Sequence, residues 1–146
     1  TIEENAKKKA EECYEVFKSP IISDDSGLFV DALDGQPGVH SKRYAGISST
    51  DVENNQKLIN ELKTADNLSA FFKTVLCYFD GLNFITSEGV LKGNIIFEPR
   101  GKNGFGYDPI FEVSGKTLAE MTLDEKSNIS HRKLAAVKLV EKLNEI

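Results

Sequence analysis

The sequence predicts a mixed α/β fold, in which helices flank a central sheet whose strands are largely paired antiparallel. Three observations predict it. The chain opens and closes with amphipathic helical patterns, a capped helix lies near residue 50, and residues 71–96 are β-rich. Strands that follow one another without helices pair antiparallel, whereas a doubly wound parallel sheet needs a crossover after each strand.

Composition narrows the functional classes. The 146 residues, 40% hydrophobic and 28% charged, fit one domain spanning 1–146. The net charge of -5 gives no general attraction for a nucleic acid. No apolar run approaches the ~20 residues of a membrane span, so we expect a cytoplasmic protein without a membrane partner. Cys13 and Cys77 lack metal-site spacing, and neither zinc nor a redox motif is expected.

The first helix is predicted from its boundaries. Thr1 and Glu4 have the spacing of a capping box, and apolar residues then recur at three- and four-residue steps to about Lys18. Pro20 ends the pattern.

A short buried strand at 21–23 comes next, followed by a polar turn at 24–27 and the apolar residues 28–30. Glycines and Pro37 then predict a loop with at most a short helix near 41–45. A second capping box, at Thr50 and Glu53, begins a helix to about Lys63.

Three consecutive strands are predicted at 71–79, 83–88 and 90–96, because Asp80-Gly81 and Gly89 interrupt β-prone residues. A further strand is expected at 109–113. Ser130 is a good N-cap for the closing helix. The apolar side of that helix is predicted to comprise Leu134, Val137, Leu139, Val140 and Leu143.

The loop at 101–111 combines three glycines, three aromatic rings and Asp108. Glycines let a backbone approach a ligand closely, and aromatic faces stack on nucleobases. Asp108 is suited to hold a neighbouring donor. The loop is therefore typical of a site for a flat ligand, and nucleotide binding is one of its open interpretations.

Asp24 and Asp25 are the clearest candidates for metal chemistry. Two carboxylates can share a magnesium ion, or one can ligate it while the other orients water, since magnesium prefers hard oxygen ligands. A solvated turn is the alternative for such a pair. The residues on either side of the Asp24-Asp25 turn are apolar, which favours a site positioned by buried secondary structure.

Lys126, His131 and Arg132 form a candidate anion or carbonyl site. His131 and Arg132 fall in the first turn of the predicted closing helix, where anions are favoured. A basic surface turn is the alternative. Lys9 lies at the edge of the apolar face of the first predicted helix. Its side chain either extends into solvent or contacts a phosphate.

The segment from Pro37 to Gly46 leaves similar alternatives open. Arg43 and Tyr44 could contact a ligand, or they could pack this loop against the rest of the domain. No GxSxG elbow, Walker loop or GxGxxG motif is present.

Four motifs in this order resemble the inosine triphosphate pyrophosphatase family, also called the Ham1 or RdgB family. They are Ser23 to Leu28, Pro37 to Gly46, Gly104 to Phe111 and Ser130-His131-Arg132. The opening residues Thr1 to Ala6 resemble the family's helix start, so that the likeness covers nearly the whole chain.

The resemblance implies a magnesium-dependent homodimeric enzyme that hydrolyses ITP, dITP and XTP to the monophosphate and pyrophosphate. A small-molecule purine nucleoside triphosphate is thus the implied partner. By resemblance Asp25 is the catalytic carboxylate and a metal residue, Asp24 is a second metal residue beside it, and Ser26 touches the substrate. The remaining substrate residues that the resemblance implies are Lys9 near the phosphates, Phe105, Gly106, Tyr107 and Asp108 in the base loop, and Lys126, His131 and Arg132 at the purine.

The family begins with a strand and a phosphate-binding loop that this sequence does not contain. We therefore expect an N-terminally shortened copy of a longer enzyme. Two alternatives remain: a nucleotide-binding fragment without catalysis, and a Maf-like nucleotide pyrophosphatase, a related fold that acts on other nucleotides.

Overall fold

A computed structural model describes residues 1–145 and confirms the mixed α/β class. A sheet of six strands is accompanied, within these residues, by four α-helices and short 3-10 turns. The helices are α1 Ile2–Phe17, α2 Asp51–Leu62, α3 Leu123–Ile129 and α4 His131–Asn144. The strands are β1 Ile21–Val30, β2 Pro37–Gly38, β3 Ser69–Phe79, β4 Phe84–Ile95, β5 Phe111–Val113 and β6 Lys116–Thr117.

The sheet has the order β2-β1-β3-β4-β5-β6. β1 pairs antiparallel with β2, with Leu28 opposite Gly38. β4 and β5 are also antiparallel, with Ile95 opposite Phe111, and β5 pairs in the same way with β6. The predicted antiparallel pairing is confirmed for these three pairs.

The backbone divides into two compact units, whose boundaries fall within β1, β3, β4 and α3. Unit 1 comprises Thr1–Ser26, Lys73–Val90 and the residues from Ile129 onward, and unit 2 comprises Gly27–Phe72 and Leu91–Asn128. Each has its own apolar core. Fully or nearly fully buried are Ile2, Ala6, Ala10, Val75, Cys77, Ala135 and Leu139 in unit 1, and Leu28, Val30, Leu58, Leu62, Ile95, Ile110, Phe111 and Leu118 in unit 2.

The helix boundaries agree with the sequence. Thr1 and Thr50 both form complete capping boxes, in which the threonine hydroxyl accepts from the backbone N–H three residues on. α1 ends at Phe17, and Lys18 closes it in the left-handed conformation. Ser130 caps α4 as predicted. Local hydrogen bonding determines these ends, which is why sequence alone located them.

The predicted turn at 24–27 was wrong. β1 runs without interruption from Ile21 to Val30, so that Asp24 and Asp25 lie within a strand. Its first residues are not buried, because Ile22 is exposed. Polar side chains in this strand are tolerated because their partners come from the flanking helices and from β3, which a local pattern does not reveal.

The predicted break at Gly89 was also wrong. β4 is a single strand of 12 residues, and Gly89 lies beneath α4. A Cβ atom at this position would be 2.0 Å from the carbonyl oxygen of His131 and 2.7 Å from the backbone nitrogen of Ala135. Gly89 is therefore needed for close packing of helix on strand, and it does not end the strand.

The buried face of α4 differs from the predicted one. His131, Ala135 and Leu139 form its buried stripe, whereas Leu134, Val137 and Val140, predicted to face the core, are exposed. The close approach at Gly89 selects the small Ala135 for the contact in place of a larger apolar side chain. Ser87 reinforces the contact, since its hydroxyl donates to the Ala135 carbonyl at 2.6 Å.

Several elements escaped the sequence analysis, namely β2, β6 and α3. The predicted strand at 109–113 is a 3-10 turn over Asp108–Ile110 followed by β5. No helix within residues 1–145 has both the length and the apolar character needed to cross a membrane.

Candidate functional site

The carboxylate of Asp25 pairs with Lys9 in unit 1. Nζ of Lys9 lies 2.9 Å from Oδ1 of Asp25 and also donates to the Asp24 carbonyl at 3.0 Å. The helix α1 is held beside β1 at this point, because the Ser23 hydroxyl donates to the Ala6 carbonyl at 2.6 Å. Helix and strand thus bring a cation to a carboxylate that is largely shielded, with 17% of its side chain exposed.

Asp24 has a different partner. Its Oδ2 lies 3.6 Å from Nε of Arg132, at the start of α4, and about half of each side chain is exposed. Consecutive residues of a strand point to opposite faces of the sheet. A single ion bridging the Asp24 and Asp25 carboxylates is therefore disfavoured, and the assignment of Asp24 to a metal stays a prediction.

Ser26, which follows Asp25 in this strand, bonds to the neighbouring strand. Its hydroxyl lies 2.7 Å from that of Thr74 in β3, which is fully buried. The sequence analysis missed Thr74, whose only signal was a polar residue among the apolar positions of β3.

The start of α4 carries His131 and Arg132. The Ser130 hydroxyl accepts from the backbone N–H groups of Arg132 and Lys133. The imidazole of His131 is buried, whereas Arg132 is exposed. The sequence grouped both with Lys126, which the structure places in unit 2.

In unit 2 the base loop predicted from sequence is organised by Asp108. This carboxylate is buried, accepts from the Phe105 N–H at 3.0 Å and pairs with the Lys126 ammonium. Lys126 also lies 4.8 Å from the centre of the Phe105 ring. The expectation that Asp108 holds neighbouring donors is confirmed.

Phe105 and Tyr107 have opposite exposures. The Phe105 residue is 61% exposed, whereas Tyr107 is only 6% exposed and its hydroxyl donates to the Ser41 carbonyl at 2.6 Å. Burial raises the pKa of Tyr107, and the nearby Tyr44 and Asp51 raise it further. Tyr107 therefore anchors the loop as a neutral donor, and Phe105 is the ring that a planar ligand can cover.

Ser41 connects this loop to β1. Its hydroxyl donates to the Gly38 carbonyl at 2.6 Å and accepts from the Leu28 N–H at 2.8 Å, while its carbonyl accepts from Tyr107. Sequence analysis did not single out Ser41, which stands within a predicted loop and has no local signature.

Tyr44 packs onto α2, which favours the structural interpretation of its loop. Its hydroxyl bonds to Glu61, and Nζ of Lys57 lies 4.2 Å from its ring centre. Burial, followed by the adjacent Glu61, raises the pKa of Tyr44. Next to it, His40, Arg43 and Lys57 contribute to the lining of an open cavity of about 500 Å³.

Among residues 1–145, no group of three or more His, Cys, Asp or Glu side chains is arranged to hold a metal ion. The assignment of Asp25 to a metal ion stays a prediction. Magnesium is commonly bound by one or two protein carboxylates, together with water and substrate phosphates.

A model of the Ham1 family matches residues 1–142. The chain belongs to this family. It is 50% identical over 146 residues to a protein of Caldanaerobacter subterraneus subsp. tengcongensis named dITP/XTP pyrophosphatase, covering 97% of the chain and 73% of that protein. A protein of the same name from Streptococcus pneumoniae serotype 4 is 46% identical over 147 residues, covering 97% and 74%.

Solved structures of Ham1 proteins share the fold of this Ham1 family member. The HAM1 protein from Coxiella burnetii matches with a TM-score of 0.94 at 43% identity, covering 100% of this chain and 78% of that one. The Staphylococcus aureus Ham1 protein matches with a TM-score of 0.95 at 39% identity, covering 99% and 77%.

Proposed function

We propose that this protein hydrolyses non-canonical purine nucleoside triphosphates, dITP, ITP and XTP, to the monophosphate and pyrophosphate. The contact between Asp25 and Lys9 carries the proposal, because it places a carboxylate and a cation together in a chain half identical to a protein named dITP/XTP pyrophosphatase. Such an enzyme removes damaged nucleotides from the pool.

The phosphate chemistry is assigned to unit 1. Water attacks the α-phosphorus and a bond from its oxygen to that phosphorus forms. The bond between the α-phosphorus and the oxygen that links it to the β-phosphate breaks, and pyrophosphate leaves with that oxygen. Asp25 accepts the proton that the water loses. Lys9 holds this carboxylate in place and offsets negative charge on the phosphate oxygens. Ser26, next along β1, is assigned a substrate contact.

We assign magnesium to Asp25 in the first place, because Asp24 lies on the other face of β1 and pairs with Arg132. When bound, the ion would neutralise charge on the phosphate oxygens. Asp24 is better suited to orient Arg132 than to share the ion.

Base recognition is assigned to hydrogen-bond donors and to an aromatic ring. His131 and Arg132 donate to the oxo group at C6 of hypoxanthine or xanthine, whereas adenine presents an amino donor there. Two donors facing each other leave both unpaired, which a hydrogen-bonding site rejects strongly. In unit 2, considered by itself, the exposed Phe105 ring is suited to stack on a planar base, and Lys126 pairs with Asp108 and lies close to this ring.

The proposal is tested by pyrophosphate release from dITP, ITP, XTP, ATP and GTP with magnesium. We expect turnover of the first three. Asp25→Asn removes the proton acceptor and should lower kcat by at least about 100-fold. Asp66→Asn, at an exposed carboxylate outside the candidate residues, should be fully active.

Two results would contradict the proposal: ATP turned over as fast as dITP, or Asp25→Asn as active as the parent protein. Binding of inosine nucleotides without any turnover would support the non-catalytic alternative. Turnover of dTTP or UTP in place of ITP would support the Maf-like one, which the match to the Ham1 family does not favour. A homodimer and a cytoplasmic location stay predictions.

A further inference from the structure

Two side chains from the first two turns of α2 form hydrogen bonds with the backbone of Gly106, at the centre of the base loop. One bonds to its N–H and the other to its carbonyl. The Gly106 N–H donates to Oδ2 of Asp51 at 2.9 Å. Nδ2 of Asn55 donates to the Gly106 carbonyl at 3.2 Å. Asp51 and Asn55 are four residues apart and therefore lie on one face of the helix.

The environment of Asn55 indicates what its amide does. The side chain is buried, and its Oδ1 has no hydrogen-bond partner within residues 1–145. A buried acceptor without a donor is destabilising, and an apolar side chain of similar size would avoid that cost. The benefit that the amide provides is the bond to Gly106.

Gly106 also needs this support. Its φ is +61°, in the left-handed region, and a Cβ atom there would have no atom within 4 Å, so that side-chain packing does not fix it. Phe105 and Tyr107 flank it. The orientation of the Gly106 peptides therefore determines where the exposed Phe105 ring stands relative to the anchored Tyr107.

We infer that Asp51 and Asn55 are positioning residues for base recognition, which orient the loop before the ligand arrives. This inference rests on the proposed function. Preorganised contacts bind more tightly because less conformational freedom is lost on binding. The loop holds the base in the ground state and the transition state alike, so that its loosening should raise KM and leave kcat nearly unchanged.

The test compares two probes by calorimetry. Inosine 5′-monophosphate carries the base, whereas tripolyphosphate has phosphates alone. Asn55→Ala and Asp51→Ala should each weaken binding of the monophosphate about tenfold, the value of one hydrogen bond, and leave tripolyphosphate unaffected. Asp51→Asn should bind like the parent, because an amide oxygen still accepts from the Gly106 N–H.

Asn54→Ala is the matched control. Asn54 is equally buried on the same helix, but its amide bonds to the Lys42 carbonyl and the Ala45 N–H, and not to the base loop. It should lower thermal stability and leave monophosphate binding unchanged. If Asn54→Ala weakens that binding as much as Asn55→Ala, or if Asn55→Ala binds like the parent, the inference is overturned.

The turnover assay separates the two proposals. A parent protein that hydrolyses dITP, with Asn55→Ala unchanged in KM, would refute the inference alone. A parent that binds the monophosphate through Asn55 without hydrolysing dITP would refute the proposed function alone. A parent that does not bind the monophosphate would refute the inference.

Discussion

At the scale of single residues, the Lys9–Asp25 pair is a poor explanation of stability. Lys9 is 53% exposed, and exposed ion pairs contribute only about 0–1 kcal/mol. The same cation within hydrogen-bond distance of a shielded carboxylate is well placed to meet phosphate oxygens. We therefore propose that the pair contributes to phosphate chemistry more than to stability.

Lys9→Met should accordingly reduce activity without unfolding the protein. We expect kcat/KM for dITP to fall about 10- to 100-fold, since charge stabilisation of the phosphates is lost, and the free energy of unfolding to fall by less than about 1 kcal/mol. Lys8→Met is the matched control, because Lys8 pairs with Glu12 on the exposed side of α1. Steady-state kinetics and urea denaturation measure both. A loss of stability that accounts for the loss of activity would contradict this assignment.

At the scale of elements, capping residues were predictable and strand continuity was not. The boxes at Thr1 and Thr50 rest on bonds within four residues. The continuity of β1 through Asp24 and of β4 through Gly89 depends on elements distant in sequence. Local turn propensity was therefore overridden by tertiary packing.

Gly89→Ala tests the packing of α4 on β4. The added methyl group would meet helix backbone, which has little freedom to move, and overpacking of this kind costs about 1–3 kcal/mol. Because the contact includes the carbonyl of His131, binding of inosine 5′-monophosphate should weaken as well. Chemical denaturation and calorimetry give the two values.

Glu88→Ala provides the comparison for this variant. It lies next to Gly89, with a half-exposed side chain paired to Lys73, and should cost less than about 1 kcal/mol. Equal losses in the two variants would mean that α4 does not need the glycine.

At the scale of the whole molecule, sequence motifs point to candidate residues, whereas the fold supplies the partners with which these residues pair. Lys126 was grouped with His131 and Arg132 by proximity in sequence, and in the structure it pairs with Asp108. Thr74, Asp51 and Asn55 lacked any motif, because their partners lie on other elements. Spacing along the chain predicts contacts within an element, and only the fold reveals contacts across elements.

Stability at acid pH depends on several parts of the chain, because the same side-chain hydrogen bond occurs at three separate helix starts. Glu53, Glu120 and Glu125 each accept from the N–H of the threonine three residues before. The pKa of each of the three carboxyl groups is lowered below its ordinary value, and these hydrogen bonds are the largest cause of the shift. Their stabilisation is complete above the unfolded pKa of about 4.3 and is lost as the pH falls through the lower folded values.

Replacing Glu53, Glu120 and Glu125 together by Gln should therefore flatten the acid limb of the stability profile. A glutamine oxygen still accepts the N-cap hydrogen bond, but it takes up no proton. In urea denaturation between about pH 5 and pH 3, the triple variant should lose less stability than the parent. The same substitutions at Glu11, Glu98 and Glu141, which are exposed and outside these caps, change the charge equally and should keep the parental slope. A flattened slope in this control would show that net charge, and not capping, sets the acid sensitivity.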